Sequence, residues 1–160
     1  MKITNETFME ILGLVEWDDR ILDLLEYLEI DRPTITGEEF GCECISEKYG
    51  ITFYFSINIE SGTKYQREKD GTLCLSQIAW KLDTTLPMVF DITYTDSSET
   101  IIKKVGRPSD IPENFHDTCC GWGDYEKPYW LTCCFTDESM KQLENVFIRL
   151  QQPYDFNKKW

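Results

Sequence analysis

Cysteines and one histidine are the residues in this sequence that could do nucleophilic or metal chemistry. Seven cysteines stand at positions 42, 44, 74, 119, 120, 133 and 134, and His116 is the single histidine. Because His116 is close in sequence to Cys119 and Cys120, the chain offers a Cys–His dyad. It also offers a zinc site completed across a hairpin by Cys133 or Cys134.

A simpler interpretation treats the cysteines as small hydrophobic residues of a core. Seven is an odd number, which does not suit a disulfide framework, so reduced thiols are predicted. Adjacent cysteines in a strand send one thiol to each face. Only His116 would lower the pKa of a nearby thiol. The zinc site and the dyad remain alternatives to this interpretation.

Sequence motifs for common catalytic sites are absent. The chain contains no G-x-x-x-x-G-K-[ST], no G-x-G-x-x-G and no H-E-x-x-H. Paired acids such as Asp18-Asp19 and Glu38-Glu39 are typical of a solvated surface in so acidic a chain. We therefore expect no catalytic residue, no metal, no cofactor and no enzymatic activity. A small cysteine- or zinc-dependent enzyme built around His116 is the alternative.

The segment GWGDYEKPYW, residues 121–130, concentrates aromatic side chains beside acids. Trp and Tyr carry much of the energy of protein interfaces, and acids beside them select a basic partner. The alternative is that these aromatics belong to the core of two neighbouring strands. A polar loop, residues 60–71, offers a second surface for ion pairs. The predicted partner-binding residues are Glu68, Asp70, Trp122, Asp124, Tyr125, Glu126 and Trp130.

The composition describes a folded, strongly acidic protein. Its 160 residues suit one domain, 1–160, and 41% hydrophobic content is too high for a disordered chain. The net charge is -13, with 14 acids and 4 bases in residues 1–60. Nucleic acid and anionic membranes would be repelled, so a basic protein is the expected partner. The alternative is an acidic surface that only maintains solubility.

The N-terminal residues and the apolar runs both favour a cytoplasmic protein. Glu6 and Glu10 interrupt the first apolar segment, which does not resemble a signal peptide. No apolar run approaches the roughly 20 residues that cross a bilayer.

Three segments predict helices. Phe8, Ile11 and Leu12 recur at helical spacing after a cap at Thr4 or Asn5. Asp18 caps a second helix with an apolar face, and acids at 19, 23, 26 and 29 line its other face. The stretch from Leu86 to Pro108 predicts a strand and then a short helix, capped by Ser97 or Ser98 and ended at Gly106.

The remaining pattern predicts a largely antiparallel sheet of about six strands. Residues 42–59 alternate and contain a turn at Tyr49-Gly50, which predicts a hairpin, and residues 72–80 supply a third strand of a meander. Two further strands flank a turn at Lys127-Pro128. Residues 143–151 fit either a strand or a helix, and we predict a strand. The fold class is α+β, with N-terminal helices packed on the sheet and one short helix inserted between two sets of strands.

The order of these features resembles a bacterial protein family over about residues 5–150. The features are Tyr49-Gly50-Ile51 before an alternating strand, Leu86-Pro87, Ser98 at a helix start, Gly106-x-Pro108, and an aromatic strand pair followed by an apolar strand. This succession resembles the immunity proteins of contact-dependent growth inhibition and related polymorphic toxin systems, in the group that neutralises nuclease toxins.

The resemblance implies an α+β fold, a cytoplasmic location, no catalysis and a one-to-one complex with a cognate toxin domain. The toxin would be a basic nuclease, and the immunity protein would block its active site or substrate surface. In some members of this group a toxin hairpin extends the sheet of the immunity protein. Besides the enzyme, the alternative is an acidic interaction domain without a toxin partner.

Overall fold

The computed structural model describes residues 1–15, 17–33, 41–57, 73–109, 118–123 and 129–150. Within these ranges the chain forms an α+β fold, as predicted. The helices are α1 (Asn5–Ile11), α2 (Asp19–Tyr27) and α3 (Ser98–Val105). The strands are β1 (Gly41–Ser46), β2 (Ile51–Ile57), β3 (Leu73–Trp80), β4 (Cys119–Trp122), β5 (Tyr129–Phe135) and β6 (Leu143–Leu150). That residues 1–160 form one domain stays a prediction.

The three helices begin where their capping residues predict. Thr4 precedes α1, and its backbone N–H donates to the Thr7 hydroxyl at 3.0 Å. Asp18 precedes α2 and accepts the Arg20 backbone N–H at 3.0 Å. Ser97 precedes α3, which ends at Gly106 with a φ of 110°. These caps satisfy backbone groups that a helix leaves unpaired at its ends, so local sequence determines where each helix starts.

The six strands form one antiparallel sheet in the order β1-β2-β3-β6-β5-β4. The predicted meander is confirmed as β1 to β3. Gly50 ends the turn between β1 and β2 with a φ of 63°, and a Cβ there would lie 2.8 Å from the Thr84 backbone. The predicted C-terminal strand is also confirmed, because β6 pairs with both β3 and β5.

The strand predicted just before α3 is wrong. Residues Val89–Asp91 form a 3₁₀ turn instead, with φ of 57° at Phe90 and 55° at Asp91. A left-handed backbone cannot continue a strand. The turn is held by the Lys104 ammonium, which donates to the Asp91 carbonyl at 2.6 Å, and by the Asn5 amide, which donates to the Asp91 carboxylate at 3.0 Å.

One face of the sheet, here the inner face, carries the helices and most of the core. Phe8 of α1 meets Trp80 of β3 edge-on, with ring centroids 5.2 Å apart. Trp17 packs 5.7 Å from Phe55, and the core cluster includes Ile101 of α3. The opposite face is the outer face. Directly paired residues share a face, so the register assigns each strand residue to one of the two.

The prediction of seven reduced thiols is wrong for two of them. Cys119 and Cys134 form a disulfide, and the other five cysteines form none. The register places Cys119 of β4 opposite Cys134 of β5, and Cys120 opposite Cys133. Counting cysteines cannot reveal this pairing, since it depends on how two strands align. The two faces of the sheet each receive one cysteine of each adjacent pair, as predicted.

Candidate partner-binding surface

Most residues predicted to bind a partner lie outside the described part of the chain. This applies to Glu68 and Asp70 of the polar loop. It applies equally to Asp124, Tyr125 and Glu126 between β4 and β5. Their role in binding therefore stays a prediction.

Trp122 is described, and it lies inside the protein. The residue is 3% exposed and belongs to the main hydrophobic cluster. Its indole N–H donates to the Gly106 carbonyl at 2.8 Å, which ties β4 to the end of α3. Trp122 therefore packs in the core, which agrees with the alternative interpretation of these aromatic residues.

Trp130 is also buried, on the outer face of β5. The residue is 6% exposed, and a Cβ placed on Gly121 or Gly123 would come within 2.8 or 2.5 Å of its ring. The Arg149 guanidinium lies 5.9 Å from the ring centroid. Gly121 of β4 and Gly123 just after the strand thus leave room for the indole. Because Trp122 and Trp130 are buried, neither presents an exposed aromatic ring to a partner, as the predicted binding role would require.

Acids line the solvent-facing side of α2, as the sequence indicated. Asp19, Asp23 and Glu26 are exposed, as is Glu29 just beyond the helix. Tyr27 lies among them and is 43% exposed. An exposed aromatic beside carboxylates combines apolar contact area with negative charge, which are the two components that a basic partner would use.

The end of α2 contacts the turn between β1 and β2. The Lys48 ammonium lies 2.8 Å from the Glu29 carboxylate, which raises the pKa of Lys48. The rings of Tyr27 and Tyr49 lie 6.3 Å apart. In the same turn Glu47 pairs with Lys81 at 2.8 Å and remains exposed. These solvated ion pairs contribute little to stability, but they place the helix end and the turn on one continuous surface.

We call this surface the acidic corner. It consists of Asp23, Glu26, Tyr27, Glu29 and Glu47. Residues 18–33 and 41–48 together carry eight carboxylates and three basic side chains. Sequence reasoning identified the acidic face of α2 but did not join it to Glu47. The helical spacing of the acids along α2 predicted the acidic face. The contact of that face with the turn depends on the tertiary fold and could not be predicted in this way.

Strand β1 lies at one edge of the sheet, directly before that turn. Its free side pairs with no other strand among the described residues. Glu43 and Ile45 point to the outer face, and Ile45 is 46% exposed. The opposite edge differs, because Ser109 donates its backbone N–H to the Gly121 carbonyl of β4 at 3.0 Å. Unpaired backbone groups on an edge strand can hydrogen-bond to an incoming strand.

The groups proposed for enzymatic chemistry are only partly described. His116 lies outside the described residues. Burial raises the pKa of the Cys120 and Cys133 thiols, so little reactive thiolate is present at neutral pH. Cys119 and Cys134 are bonded to each other. In the described ranges no three ligating side chains come together as a metal site would require.

No family model, no curated protein and no solved structure matches the chain. Within the described residues, each helix is too short or too polar to cross a membrane.

Proposed function

We propose that the protein is an immunity-type binding protein that docks one-to-one onto a cognate toxin domain in the cytoplasm. The toxin is a basic nuclease, and docking blocks its active site or substrate surface. The protein needs no catalysis and no nucleic-acid or membrane partner for this role. The observation that carries the proposal is the acidic corner, which adjoins the turn at the end of the open edge strand β1.

Charge supports a nuclease as the partner. Nucleases hold phosphate backbones with Lys and Arg, so their substrate surfaces are basic. A protein of net charge -13 is steered towards such a surface and can occupy it in place of nucleic acid. Complementary fields mainly accelerate association, while buried apolar contacts slow dissociation.

Exposed apolar residues beside the acids can make the buried contacts that slow dissociation of the complex. Tyr27 is 43% exposed in the acidic corner, and Ile45 is 46% exposed on β1. Strand β1 is an edge of the sheet among the described residues, so a strand or hairpin of the toxin can in addition extend the sheet there. Main-chain pairing supports affinity for many sequences, whereas the acids and Tyr27 select a basic partner.

Two alternatives from the sequence stay open as predictions. An acidic interaction domain without a toxin would have the same charge, and the test must separate it from an immunity protein. An enzyme built on cysteine or zinc depends on His116, which is not described.

Growth protection tests the proposal. The proposal predicts a toxin domain encoded next to this gene; that domain is expressed in a host with or without the protein, and growth is followed. We expect growth only with the protein present. An acidic interaction domain without a toxin partner predicts no rescue.

Charge reversal then tests the surface. Glu26→Lys combined with Glu47→Lys should weaken binding to the toxin at low salt and make the affinity less dependent on salt, because the screened attraction is lost. Glu99→Lys combined with Glu138→Lys, on α3 and in the turn between β5 and β6, is the matched control, because both residues are exposed and the pair changes the net charge by the same amount. Equal weakening by the control would show that net charge, and not the acidic corner, matters.

A further inference from the structure

Strands β4 and β5 carry two neighbouring rungs of paired cysteines. Cys119 lies opposite Cys134, and Cys120 lies opposite Cys133. Since successive side chains alternate between faces, the first rung lies on the outer face and the second on the inner face. The protein therefore presents the same pair of residues in two different environments.

The backbone distinguishes the two rungs. The Phe135 N–H donates to the Thr118 carbonyl at 2.8 Å, which makes that pair a hydrogen-bonded rung. The next rung, Cys119–Cys134, is then of the non-hydrogen-bonded kind, in which Cα atoms approach to about 4.5 Å. The measured Cα separation is 4.2 Å. This rung is bonded as a disulfide, and the wider rung that follows it holds free thiols.

The outer rung is accessible to small molecules. The disulfide lines a cleft of about 550 Å³ together with Leu82, Thr118 and Asn145. Leu82 is 53% exposed and Asn145 is exposed, so the cleft opens to solvent. Cys134 is half-buried, whereas Cys119 is 8% exposed. A thiolate can therefore reach the Cys134 sulfur more readily than the Cys119 sulfur.

The inner rung is closed to the same reagents. Cys120 is 4% exposed and Cys133 is 0% exposed. Burial raises the pKa of both thiols, and the Cys120 thiol lies 3.9 Å from the Met140 sulfur. A protonated, buried thiol exchanges slowly. The inner rung is thus an internal control for the outer one.

We propose that Cys119–Cys134 is a thiol–disulfide exchange site for a low-molecular-weight thiol of the glutathione class. The small thiolate attacks the Cys134 sulfur, the S–S bond breaks, and Cys119 leaves as a thiolate that takes up a proton. A second small thiol attacks the mixed disulfide, which frees the Cys134 thiol and releases the small disulfide. The protein gains two protons and two electrons, and two small thiols are oxidised to one disulfide. The reverse steps use the small disulfide as oxidant.

Exchange at this site controls how firmly edge strand β4 is attached. The disulfide ties the first residue of β4 to β5. Beyond it, β4 is held by the ladder to β5, by the bond from the Trp122 indole to Gly106, and by hydrogen bonds between Ser109 and Gly123. Reduction removes the covalent tie and leaves these weaker contacts. In a reducing cytoplasm, disulfides that form are mostly of this reversible kind.

Glutathione redox buffers test the site directly. The native protein is equilibrated over a graded series of reduced-to-oxidised glutathione ratios, quenched, alkylated and analysed by peptide mass spectrometry. We expect Cys119 and Cys134 to become alkylated together at one midpoint, while Cys120 and Cys133 stay unlabelled. The inference is overturned if Cys119 and Cys134 remain oxidised with reduced glutathione alone. Alkylation of all four cysteines at the same glutathione ratio would overturn it as well.

Single variants identify the attacked sulfur. Cys119→Ser leaves the more exposed Cys134, which should form a stable mixed disulfide with oxidised glutathione. Cys134→Ser leaves Cys119, which should react more slowly by about tenfold or more, because it is more buried. Equal rates would overturn the assignment. Cys120→Ala should leave the midpoint unchanged.

Hydrogen exchange measures the structural consequence. Amides of β4 should exchange faster in the reduced than in the oxidised native protein, while those of β2 in the sheet interior should not change. Identical exchange of β4 in both forms would refute its control by the disulfide.

Discussion

Replacing Asp96 by asparagine removes a charge from a nearly closed site. Asp96 is 7% exposed and accepts the Lys104 ammonium at 2.7 Å, the Thr93 backbone N–H at 2.9 Å and the Thr93 hydroxyl at 3.0 Å. Lys104 also donates to the Asp91 carbonyl at 2.6 Å. The Asp96–Lys104 pair therefore attaches α3 to the left-handed turn that replaces the predicted strand.

The size of the effect follows from these contacts. A hydrogen bond to a charged group contributes about 1.5–3 kcal/mol to stability. Lys104 is partly exposed and keeps its bond to Asp91, so the ammonium stays partly solvated after the substitution. We expect Asp96→Asn to lower the free energy of unfolding by about 2 kcal/mol. For a chain of this size that corresponds to a fall in Tm of about 4–8 °C.

The pH dependence gives an independent check. Burial raises the pKa of Asp96, but hydrogen bonds from Lys104 and Thr93 outweigh it, so the net pKa lies below its ordinary value. A carboxylate with a lowered native pKa stabilises the fold above its unfolded pKa, about 3.9. That stabilisation disappears as the pH falls through the native pKa. The difference in the free energy of unfolding between wild type and Asp96→Asn should therefore have its full value at pH 7 and should vanish in acid.

Denaturant unfolding at pH 7 and in steps below pH 4 measures both quantities. Asp137→Asn is the control, because hydrogen bonds from Ser139 lower the pKa of Asp137 on an exposed turn. Its effect should stay within about 0.5 kcal/mol. No loss of stability for Asp96→Asn at pH 7, or a loss that persists unchanged in acid, would refute the reasoning.

Three further substitutions test the packing of the fold by denaturant unfolding. Phe8→Ala should cost about 3–5 kcal/mol, because Phe8 is 0% exposed and packs on Trp80; a cost below about 1 kcal/mol would contradict that packing. Gly50→Ala should cost about 2 kcal/mol or more, since the left-handed backbone at φ 63° disfavours a Cβ; a neutral result would contradict the turn geometry. Trp122→Phe should cost about 1 kcal/mol or more through loss of the bond to Gly106, and no cost would count against that bond.

The helix starts and the first hairpin could be predicted from the sequence because the residues that determine them act locally. Thr4, Asp18 and Ser97 satisfy backbone donors within a turn of their own position, so each marks a helix start wherever the helix packs. Gly50 does the same for the first hairpin through its positive φ. The C-terminal segment was ambiguous by periodicity, and its preference for a strand followed from the turn before it.

Features that depend on contacts between distant parts of the chain could not be predicted from the sequence. The left-handed turn at Phe90 and Asp91 is held by Asn5 and Lys104, which lie far away in sequence or on another element. The disulfide depends on the register between β4 and β5. The acidic face of α2 was predicted, but its contact with the turn after β1 required the tertiary fold.

Aromatic residues in strands illustrate a second limit. Trp122 faces the inner side of the sheet and Trp130 the outer side, yet both are buried. A period of two residues identifies the face but not what covers it. Gly121 could have indicated the position of Trp130, because glycines in a strand often mark close approach of another group.

Inhibition of the purified toxin nuclease tests the central claim most directly. The proposal predicts that a toxin nuclease is encoded beside this gene; that nuclease is titrated with the purified protein, and cleavage of nucleic acid is measured at low and at moderate salt. The account predicts that nuclease activity falls to zero at one equivalent, and that affinity weakens steeply with salt. Full nuclease activity in the presence of excess protein would contradict it.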